Sequence, residues 1–550
     1  MRNSFRQRLA WCVRPSRFFL PIVWSLYAVL AACAASANPT PMSTRAVLAI
    51  PTAVVSAATA EPVTATPTTA PTIRSTRAPT HPPATAALIP SAAPQKTAQD
   101  PVSPLTAYDS TVTFDAYPYE KFWLDKTDPA THIPFKAFDH AAYDAAAPTL
   151  NPQPKTFRAI VLENEFLRVT ILPDLGGRIF QITYKPTGQT FLYNNRVLKP
   201  TPWGMPAQNG WLAAGGIEWA FPTQEHGYEW NAPWDAQIQR DAQSISVVLR
   251  DSSADDRPRV QVRVTLPAHA AYLAVSPRVE NPTAQPQRIQ FWTNAMLNLG
   301  ATGRLAPETQ FFLPDDSVLV HSTGNDWIPR ELVPADDNAA PKTAVPFSNL
   351  AGRDLRFYRN WDNYLGVFAA DTGKTDLAQA FVGAYNYAAQ IGLARIFSPQ
   401  LTPGVKLFAW GPNFCCRNLY TDDGSEYFEM WGGIARTFFP DDNVILPPGD
   451  ARTWSEYFLP LPATHGVSAA LPDFAMTLQA NANQATITAY AAAAREAVLI
   501  LKQGDHEIKR WNISFHPTQH LQEQIATAER PLTLELQDRD GNILLQTESQ

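Results

Sequence analysis

Apolar and polar residues alternate with a period of two in several segments of the chain. The pattern is clearest at residues 167–171, 180–184 and 260–266. This period is typical of half-buried strands in antiparallel sheets. Turn-forming pairs such as Pro173-Asp174, Gly176-Gly177 and Asn281-Pro282 punctuate the strands. No long helical periodicity competes, so residues 105–460 are predicted to form a large all-β sandwich of stacked sheets.

The last part of the chain, residues 461–550, shows shorter strand patterns. They lie near residues 476–478, 485–490, 498–501 and 532–536. Asp540-Gly541 between apolar runs is a hairpin signal. A segment of this length and pattern predicts a small β-sandwich of immunoglobulin-like type.

Residues 1–33 have the composition of an export signal. The first sixty residues contain no Asp or Glu, Arg residues precede an apolar run at 18–30, and Ala31-Ala32-Cys33 follows. This end resembles the lipobox of bacterial lipoproteins, which implies lipidation of Cys33 and an extracytoplasmic protein anchored to a bacterial membrane. The alternative is an ordinary signal peptide in which Cys33 is incidental.

Residues 34–104 are dominated by Ala, Thr, Pro and Ser. Such a segment buries too little apolar surface to offset its ordering entropy, so it is predicted to be a disordered tether. The whole chain is 45 % hydrophobic, which suffices for a core, and its net charge of −6 argues against nucleic acid as a partner.

A Trp-rich segment at residues 203–235 is the first candidate site. Its candidates for chemistry are Glu218 and His226, and its candidates for substrate binding are Trp211, Trp219, Trp230 and Trp234. The segment is a poor strand and a poor helix, which predicts a long ordered loop. Indole faces suit sugar rings, and carboxylates and imidazoles bond hydroxyls, so we expect a sugar or glycan ligand. The alternative is a Trp-rich plug at one end of the sandwich.

A second candidate region spans residues 408–459. Tyr427, Glu429 and Trp431 are predicted to share one face of a strand. A carboxylate between two aromatic residues is costly to bury without a partner, which makes Glu429 a better functional candidate than most acidic residues of the chain. The alternative is a structural Glu paired with Arg178 or Arg417.

Several motifs together resemble a known family. They are residues 162–165, 173–179, 215–219, 292–295 and 446–449. They resemble an uncharacterised bacterial domain family that is similar to the galactose mutarotase (aldose epimerase) superfamily. The resemblance covers residues 108–460 and implies a sugar-binding β-supersandwich.

The resemblance also implies roles for individual residues. Mutarotases use a Glu base at the anomeric hydroxyl and a His acid at the ring oxygen. Glu429 matches the base by its position ahead of Pro-Asp and Pro-Gly turns. The expected His is missing from residues 293–299, where Asn294 stands, so His226 is the candidate acid from another loop. Arg178 is a further candidate for substrate binding.

Three functions remain open at this point. The first is a non-catalytic carbohydrate-binding lipoprotein. The second is a carbohydrate enzyme, an epimerase or a glycoside-cleaving enzyme, that uses Glu429 with Glu218 or His226. The third is a structural envelope protein without a ligand. Convergence of these groups in one pocket would favour the enzyme.

No cofactor or metal is expected. Cys415-Cys416 are adjacent and do not form a disulfide framework, and no Cys/His spacing resembles a zinc site. Asp422, Asp423 and Glu426 are read as a solvated acidic turn rather than a calcium site.

Overall fold

A computed structural model of the protein describes residues 88–90, 105–201, 208–223, 225–300, 303–324, 327–334, 339–371, 380–526 and 531–549. Cys33, the predicted signal peptide and nearly all of the predicted tether lie outside these ranges. Within them, no helix has the length and apolar character that crossing a bilayer requires.

Strands dominate the described residues. In chain order they are β1 (Leu88–Pro90), β2 (Thr106–Ala116), β3 (Trp123–Thr127), β4 (Pro134–Phe138), β5 (Gln153–Glu163), β6 (Leu167–Leu172), β7 (Arg178–Tyr184), β8 (Gln189–Thr190), β9 (Asn194–Thr201), β10 (Trp211–Gly215), β11 (Ile217–Ala220), β12 (Asp235–Arg240), β13 (Ser244–Arg250), β14 (Arg259–Pro267), β15 (Leu273–Glu280), β16 (Gln287–Ile289), β17 (Trp292–Leu297), β18 (Thr309–Phe312), β19 (Ser317–Thr323), β20 (Ala344–Pro346), β21 (Leu365–Ala369), β22 (Ala380–Asn386), β23 (Ile391–Phe397), β24 (Gly404–Ala409), β25 (Phe428–Gly433), β26 (Val444–Leu446), β27 (Ala451–Thr453), β28 (Glu456–Pro462), β29 (Ala469–Leu471), β30 (Phe474–Ala480), β31 (Gln484–Ala491), β32 (Arg495–Gln503), β33 (His506–Phe515), β34 (Gln519–Ala526), β35 (Thr533–Gln537) and β36 (Ile543–Glu548).

Helical structure is short in the described ranges. Helix α1 (His140–Ala146) begins at Asp139, whose side chain accepts a hydrogen bond from the backbone N–H of Ala142. Single 3₁₀ turns complete the helical structure, at Glu120–Phe122, Ala147–Thr149, Arg330–Leu332, Phe347–Asn349, Tyr358–Asn360, Arg417–Leu419 and Pro440–Asp442.

Two large sheets form the main module. The first, here called the large sheet, has the strand order β10-β9-β2-β5-β6-β7-β11-β17-β25-β24-β21-β19-β20, with β8 beside β7. The second, the facing sheet, has the order β12-β13-β14-β15-β28-β23-β22-β18, with β27 beside β15. The pairing is antiparallel except between β2 and β9.

The main core lies between these two sheets. On β14, Val260, Val262, Val264 and Leu266 are buried while the alternate residues are partly exposed. The same core includes Ala295, Leu297, Phe428 and Met430 from the large sheet. The period-two pattern therefore arises where one face of a strand meets the core and the other meets solvent.

A buried ion pair of the facing sheet is hydrogen-bonded to the large sheet inside this core. Arg395 on β23 contacts Glu456 on β28 at 2.7 Å. Thr293 of the large sheet donates to the same carboxylate at 2.9 Å. A Cβ atom at Gly432 would lie 1.8 Å from Cζ of Arg395, so any side chain there would displace the paired guanidinium.

The opposite face of the large sheet, here called the outer face, is also covered. Its aromatic cover includes Phe122, Phe138 and Tyr143 from the segments before β5, and Trp410 and Tyr420 from the segment before β25. Residues on this face therefore lie in a second apolar layer rather than in bulk water.

The C-terminal module contains a five-stranded sheet, β1-β34-β31-β30-β29, and a four-stranded sheet, β33-β32-β35-β36. Their apolar faces share one core that includes Trp511 and Phe474. The predicted fold class, a large all-β sandwich followed by a small one, is thereby confirmed. The strand β1 falls inside the predicted tether and pairs antiparallel with β34.

The Trp-rich segment differs from the prediction of a long loop. It contains β10 and β11, separated only by Gly216, whose φ is +82°. Both strands are buried on both faces, so they lack the alternation that marks a half-exposed strand.

Candidate functional site

Five polar or aromatic side chains form a row across the outer face of the large sheet. Glu218 on β11 is opposite Asn294 on β17, and Asn294 is opposite Trp431 on β25. Trp431 is in turn opposite Lys406 on β24. Arg178, at the start of β7, completes the row beside Glu218. The register of neighbouring strands thus collects charges from distant parts of the chain on one buried surface.

Glu218 has four polar partners. Its Oε1 atom contacts Nδ1 of His226 at 2.5 Å and accepts from Asn294 at 3.2 Å. Its Oε2 atom accepts from the indole N–H of Trp211 at 3.1 Å and contacts Arg178 at 3.4 Å. Burial raises the pKa of Glu218, but the charge and hydrogen bond of His226, with Arg178 and Trp211, outweigh burial and lower it overall.

His226 is held in place from two sides. Gly227 has a φ of +66°, and a Cβ there would lie 2.2 Å from the backbone nitrogen of Phe221, so the loop folds back tightly. The imidazole stacks on Trp211 with ring centroids 4.2 Å apart and lies 5.4 Å from the Trp431 ring. Because Nδ1 faces Glu218, Nε2 remains for another partner, and no described residue bonds it.

Glu429 lies on the same face, in the next row. Its Oε2 atom accepts from the indole N–H of Trp431 at 2.9 Å, and no described residue hydrogen-bonds its Oε1 atom. Burial raises the pKa of Glu429; Lys406, His226 and the Trp431 hydrogen bond offset only part of that rise. A carboxylate held in this way is a stronger base than an ordinary one.

The alternative of a structural Glu429 paired with Arg178 or Arg417 is corrected by these contacts. Arg178 pairs with Glu218, and Arg417 pairs with Glu426 at 3.0 Å. The guanidinium of Arg178 also donates to the carbonyls of Leu175, Gly215 and Trp230. Arg178, a candidate for substrate binding, is therefore committed to the fold.

The four tryptophans of the predicted sugar platform are separated by the structure. Trp211 lies at the site against His226. Trp219 and Trp234 belong to the core between the two sheets, and the Trp219 indole donates to the carbonyl of Gly177. Trp230 lies on the outer side, with its indole N–H bonded to Gln208. The four rings therefore do not form one common surface, and their part in binding a sugar stays a prediction.

Two further sequence candidates do lie together. Tyr427 and Trp431 share the outer face with Glu429, as the alternation predicted. Tyr427 stacks on Tyr193 with centroids 4.7 Å apart and packs on Trp410. It contributes to the aromatic cover around Glu429.

Two acidic residues of the predicted turn form ion pairs with basic side chains. Asp422 pairs with Lys199 and Asp423 with Arg196. Among the residues that the structure describes, no cluster of His, Cys, Asp and Glu has the arrangement of a metal site. Cys415 and Cys416 are not joined by a disulfide, and their sulfur atoms lie 2.8 Å apart.

Two residues of the site were missed from the sequence. Lys406 is 3 % exposed, and its ammonium lies 4.3 Å from the centre of the Trp431 ring. In the sequence, Asn294 was noted only because it stands where the related family has a His. In the structure, its side chain donates a hydrogen bond to Glu218. A lone Lys in the apolar strand 404–409 was the available signal for the first.

Comparisons with known proteins add two family matches and a set of structural neighbours. The family described as Domain of unknown function (DUF5107) matches residues 128–461, and YphG-like protein, second domain, matches residues 469–547. A TPR-domain containing protein from Parabacteroides distasonis shares the fold, with a TM-score of 0.51 and 23 % identity over 66 % of this chain. The chain spans 56 % of that protein's length.

Other solved structures are more distantly similar. A galactose mutarotase-like protein from Clostridium acetobutylicum has a TM-score of 0.39 and 11 % identity, covering 55 % of this chain and 95 % of its own. A galactose mutarotase related enzyme from Lactobacillus acidophilus has a TM-score of 0.37 and 14 % identity, covering 55 % and 96 %.

The first family match spans more than half of the 550 residues and contains the entire row from Arg178 to Trp431. The chain therefore belongs to the DUF5107 family.

Proposed function

We propose that the outer face of the large sheet binds a sugar and interconverts its anomers by acid–base catalysis. The observation that carries this proposal is that a candidate base, Glu429, and a candidate acid, His226, lie on the same buried surface. Glu429 is a carboxylate of raised pKa with one free oxygen, and His226 is an imidazole oriented by Glu218 with one free nitrogen. Such a pair matches the needs of proton transfer at two oxygens.

The reaction follows from these positions. Glu429 removes the proton of the anomeric hydroxyl while Nε2 of protonated His226 gives a proton to the ring oxygen. The bond between the anomeric carbon and the ring oxygen breaks, which leaves an open-chain aldehyde. Rotation and reclosure with the reverse proton transfers return both groups to their starting states and give the other anomer.

Glu218 supports this reaction without touching the sugar. Both of its oxygens already have two partners within the protein. It orients the imidazole, as a buried carboxylate does for a catalytic His. A glycoside-cleaving pair of Glu218 and Glu429 is disfavoured, because such a mechanism needs two carboxylates that are free to act.

A non-catalytic sugar-binding protein is the second candidate. The burial of the tryptophans speaks against it, because a capture surface needs exposed aromatic faces. His226 and Glu429 retain 7 % and 5 % exposure, so the two proposed catalytic groups are more accessible than any member of the row.

We also propose that the chain is lipidated at Cys33 and held outside the cytoplasm. The supporting observation is the apolar run followed by Ala31-Ala32-Cys33. Labelling with a fatty-acid analogue in a bacterial host tests this proposal: label in the wild type and none in Cys33→Ala supports it, and equal labelling refutes it.

Exchange NMR on free aldoses tests the catalytic proposal. The protein should accelerate interconversion of the α and β anomers, and Glu429→Gln and His226→Gln should each lower the rate about 100-fold or more, in the range of general acid–base effects. Tyr108→Phe, an exposed change on β2, is the control and should leave the rate unchanged. Binding without acceleration in the wild type would favour the capture protein instead.

A further inference from the structure

The outer face carries one cation that the proposed reaction does not use. Lys406 points from β24 to the same side of the sheet as Glu429 and Trp431. Its ammonium is enclosed by rings, 4.3 Å from the centre of Trp431 and 4.9 Å from that of Phe438. None of the described residues forms an ion pair or a hydrogen bond with it.

A buried ammonium in this condition is unusual. Lysine is almost never fully buried unless it is paired, because removing its charge from water is costly. Aromatic faces attract the cation but provide no hydrogen-bond acceptors for its three N–H groups. No described residue accepts from the Lys406 ammonium, and an anionic acceptor would compensate its charge best.

The carboxylates near Lys406 are not hydrogen-bonded to its ammonium. Glu218 is already bonded to Arg178 and His226. Burial lowers the pKa of Lys406, and the nearby charges of Glu429, Glu225 and Glu218 offset only part of that shift. Neither Glu225 nor Glu429 forms an ion pair with the ammonium among the described contacts. Glu429 directs its bonded oxygen to Trp431. One cation thus remains without a direct counter-ion.

A second nitrogen faces the same region. His321 lies over Gly366, where an added Cβ would be 2.1 Å from its Nε2 atom. Its ring packs on Phe438 at 5.4 Å, the same ring that borders Lys406. This Nε2 atom is buried and has no hydrogen-bond partner among the described residues. Two nitrogen groups without partners therefore border one ring beside the row.

From this arrangement we infer that the site takes a sugar that carries a carboxylate, of the uronic acid class, with Lys406 as its anion-binding residue. The inference rests on the proposed function and specifies its substrate. The carboxylate accepts hydrogen bonds from the Lys406 ammonium, and His321 supplies a second contact. The anomeric end of the same sugar then lies between Glu429 and His226.

Calorimetric titration with matched sugars tests the inference. D-glucuronate and D-galacturonate are compared with D-glucose and D-galactose, at pH 7 and fixed salt. We expect the uronates to bind at least tenfold more tightly than the neutral sugars. Lys406→Met, which keeps length and apolar packing, should lower uronate affinity at least tenfold more than neutral-sugar affinity.

Lys509→Met is the matched control. Lys509 also lies over a Trp ring, at 5.1 Å from the centre of Trp511, but it belongs to the C-terminal module and is paired with Glu523. This variant should keep the uronate preference. D-glucuronamide, a neutral isostere, gives a test on the wild type that needs no variant, and it should bind like glucose.

The outcomes separate the two proposals. Equal affinity for uronates and neutral sugars, or a preference that survives in Lys406→Met, overturns the inference and leaves the proposed function standing. Uronates that bind no better than glucuronamide overturn it as well, even if Lys406→Met does not fold. Absence of binding for all sugars overturns the proposed function and the inference with it.

Discussion

The stability of the protein should depend differently on the charges of two glutamates on the outer face. Glu218 and Glu429 are both buried, yet only Glu218 has a direct cationic partner. Replacing Glu218 by Gln keeps the shape and removes the charge, which leaves Arg178 buried without its counter-ion. Breaking a buried pair from one side typically costs about 3–5 kcal/mol. Since Arg178 keeps three carbonyl acceptors, we expect a loss of about 3 kcal/mol in the free energy of unfolding.

Glu429→Gln should cost little by comparison. The folded state raises the pKa of Glu429, so its charged form destabilises the native protein. A neutral amide avoids that cost while still accepting the Trp431 hydrogen bond. We expect the variant to be within about 1 kcal/mol of the wild type at pH 7, or more stable.

The sign of the pH dependence gives a second check on Glu429. A carboxyl group with a raised folded pKa contributes stability below its unfolded value of 4.5, and that contribution is lost as pH rises through the folded pKa. The stability of Glu429→Gln relative to the wild type should therefore increase from pH 4.5 upward.

Urea unfolding of the two variants and the wild type, followed by Trp fluorescence, measures the stability change in each variant. Repeating it at several pH values measures the pH dependence of the Glu429→Gln effect. A loss below about 1 kcal/mol in Glu218→Gln would refute the structural role of the Arg178 pair. An equal loss in Glu429→Gln would refute the distinction between the two carboxylates.

Three further results are expected. Trp219→Ala should lower the free energy of unfolding by about 3–5 kcal/mol in urea titrations, because it opens a cavity in the core between the sheets, and a loss below 1 kcal/mol would contradict its core position. Gly432→Ala should prevent folding or destabilise strongly by displacing Arg395, as judged by circular dichroism, whereas Gly449→Ala, in open space at a φ of +74°, should cost only about 1–2 kcal/mol. Burial lowers the pKa of His520 to about 4, so unfolding experiments should show stability falling by up to about 3 kcal/mol between pH 6.5 and 4, and His520→Gln should lack that part of the dependence.

A strand could be predicted from the sequence when one of its faces is buried and the other is exposed to solvent. β14 alternates between core and solvent, so its sequence reveals its structure. β10 and β11 are buried on both faces and contain small residues, so no alternation marks them. The Trp-rich segment was therefore read as a loop although it includes two strands of the large sheet.

The same reasoning explains what was found and missed at the site. Glu429 was identified because a carboxylate between aromatic residues is costly, and the structure places it on the outer face. From the sequence, Trp219 was assigned to the same candidate site as Trp211 and Glu218. Adjacent residues on a strand face opposite sides of a sheet, however, so Glu218 faces outward while Trp219 faces the core. Because Gly216 interrupts the strand before β11, the alternation of side chains could not be read from the sequence. Lys406 carried the same signal as Glu429, but its partners come from strands distant in sequence.

The acid–base assignment is tested most directly by a crystal structure of Glu429→Gln with a bound sugar. The ligand should be the tightest binder among glucose, galactose, glucuronate and galacturonate. We expect its anomeric hydroxyl within hydrogen-bonding distance of residue 429, about 2.6–3.2 Å, and its ring oxygen at the same range from Nε2 of His226. A sugar bound elsewhere on the protein, or bound here with its anomeric centre turned away from both groups, would contradict the assignment.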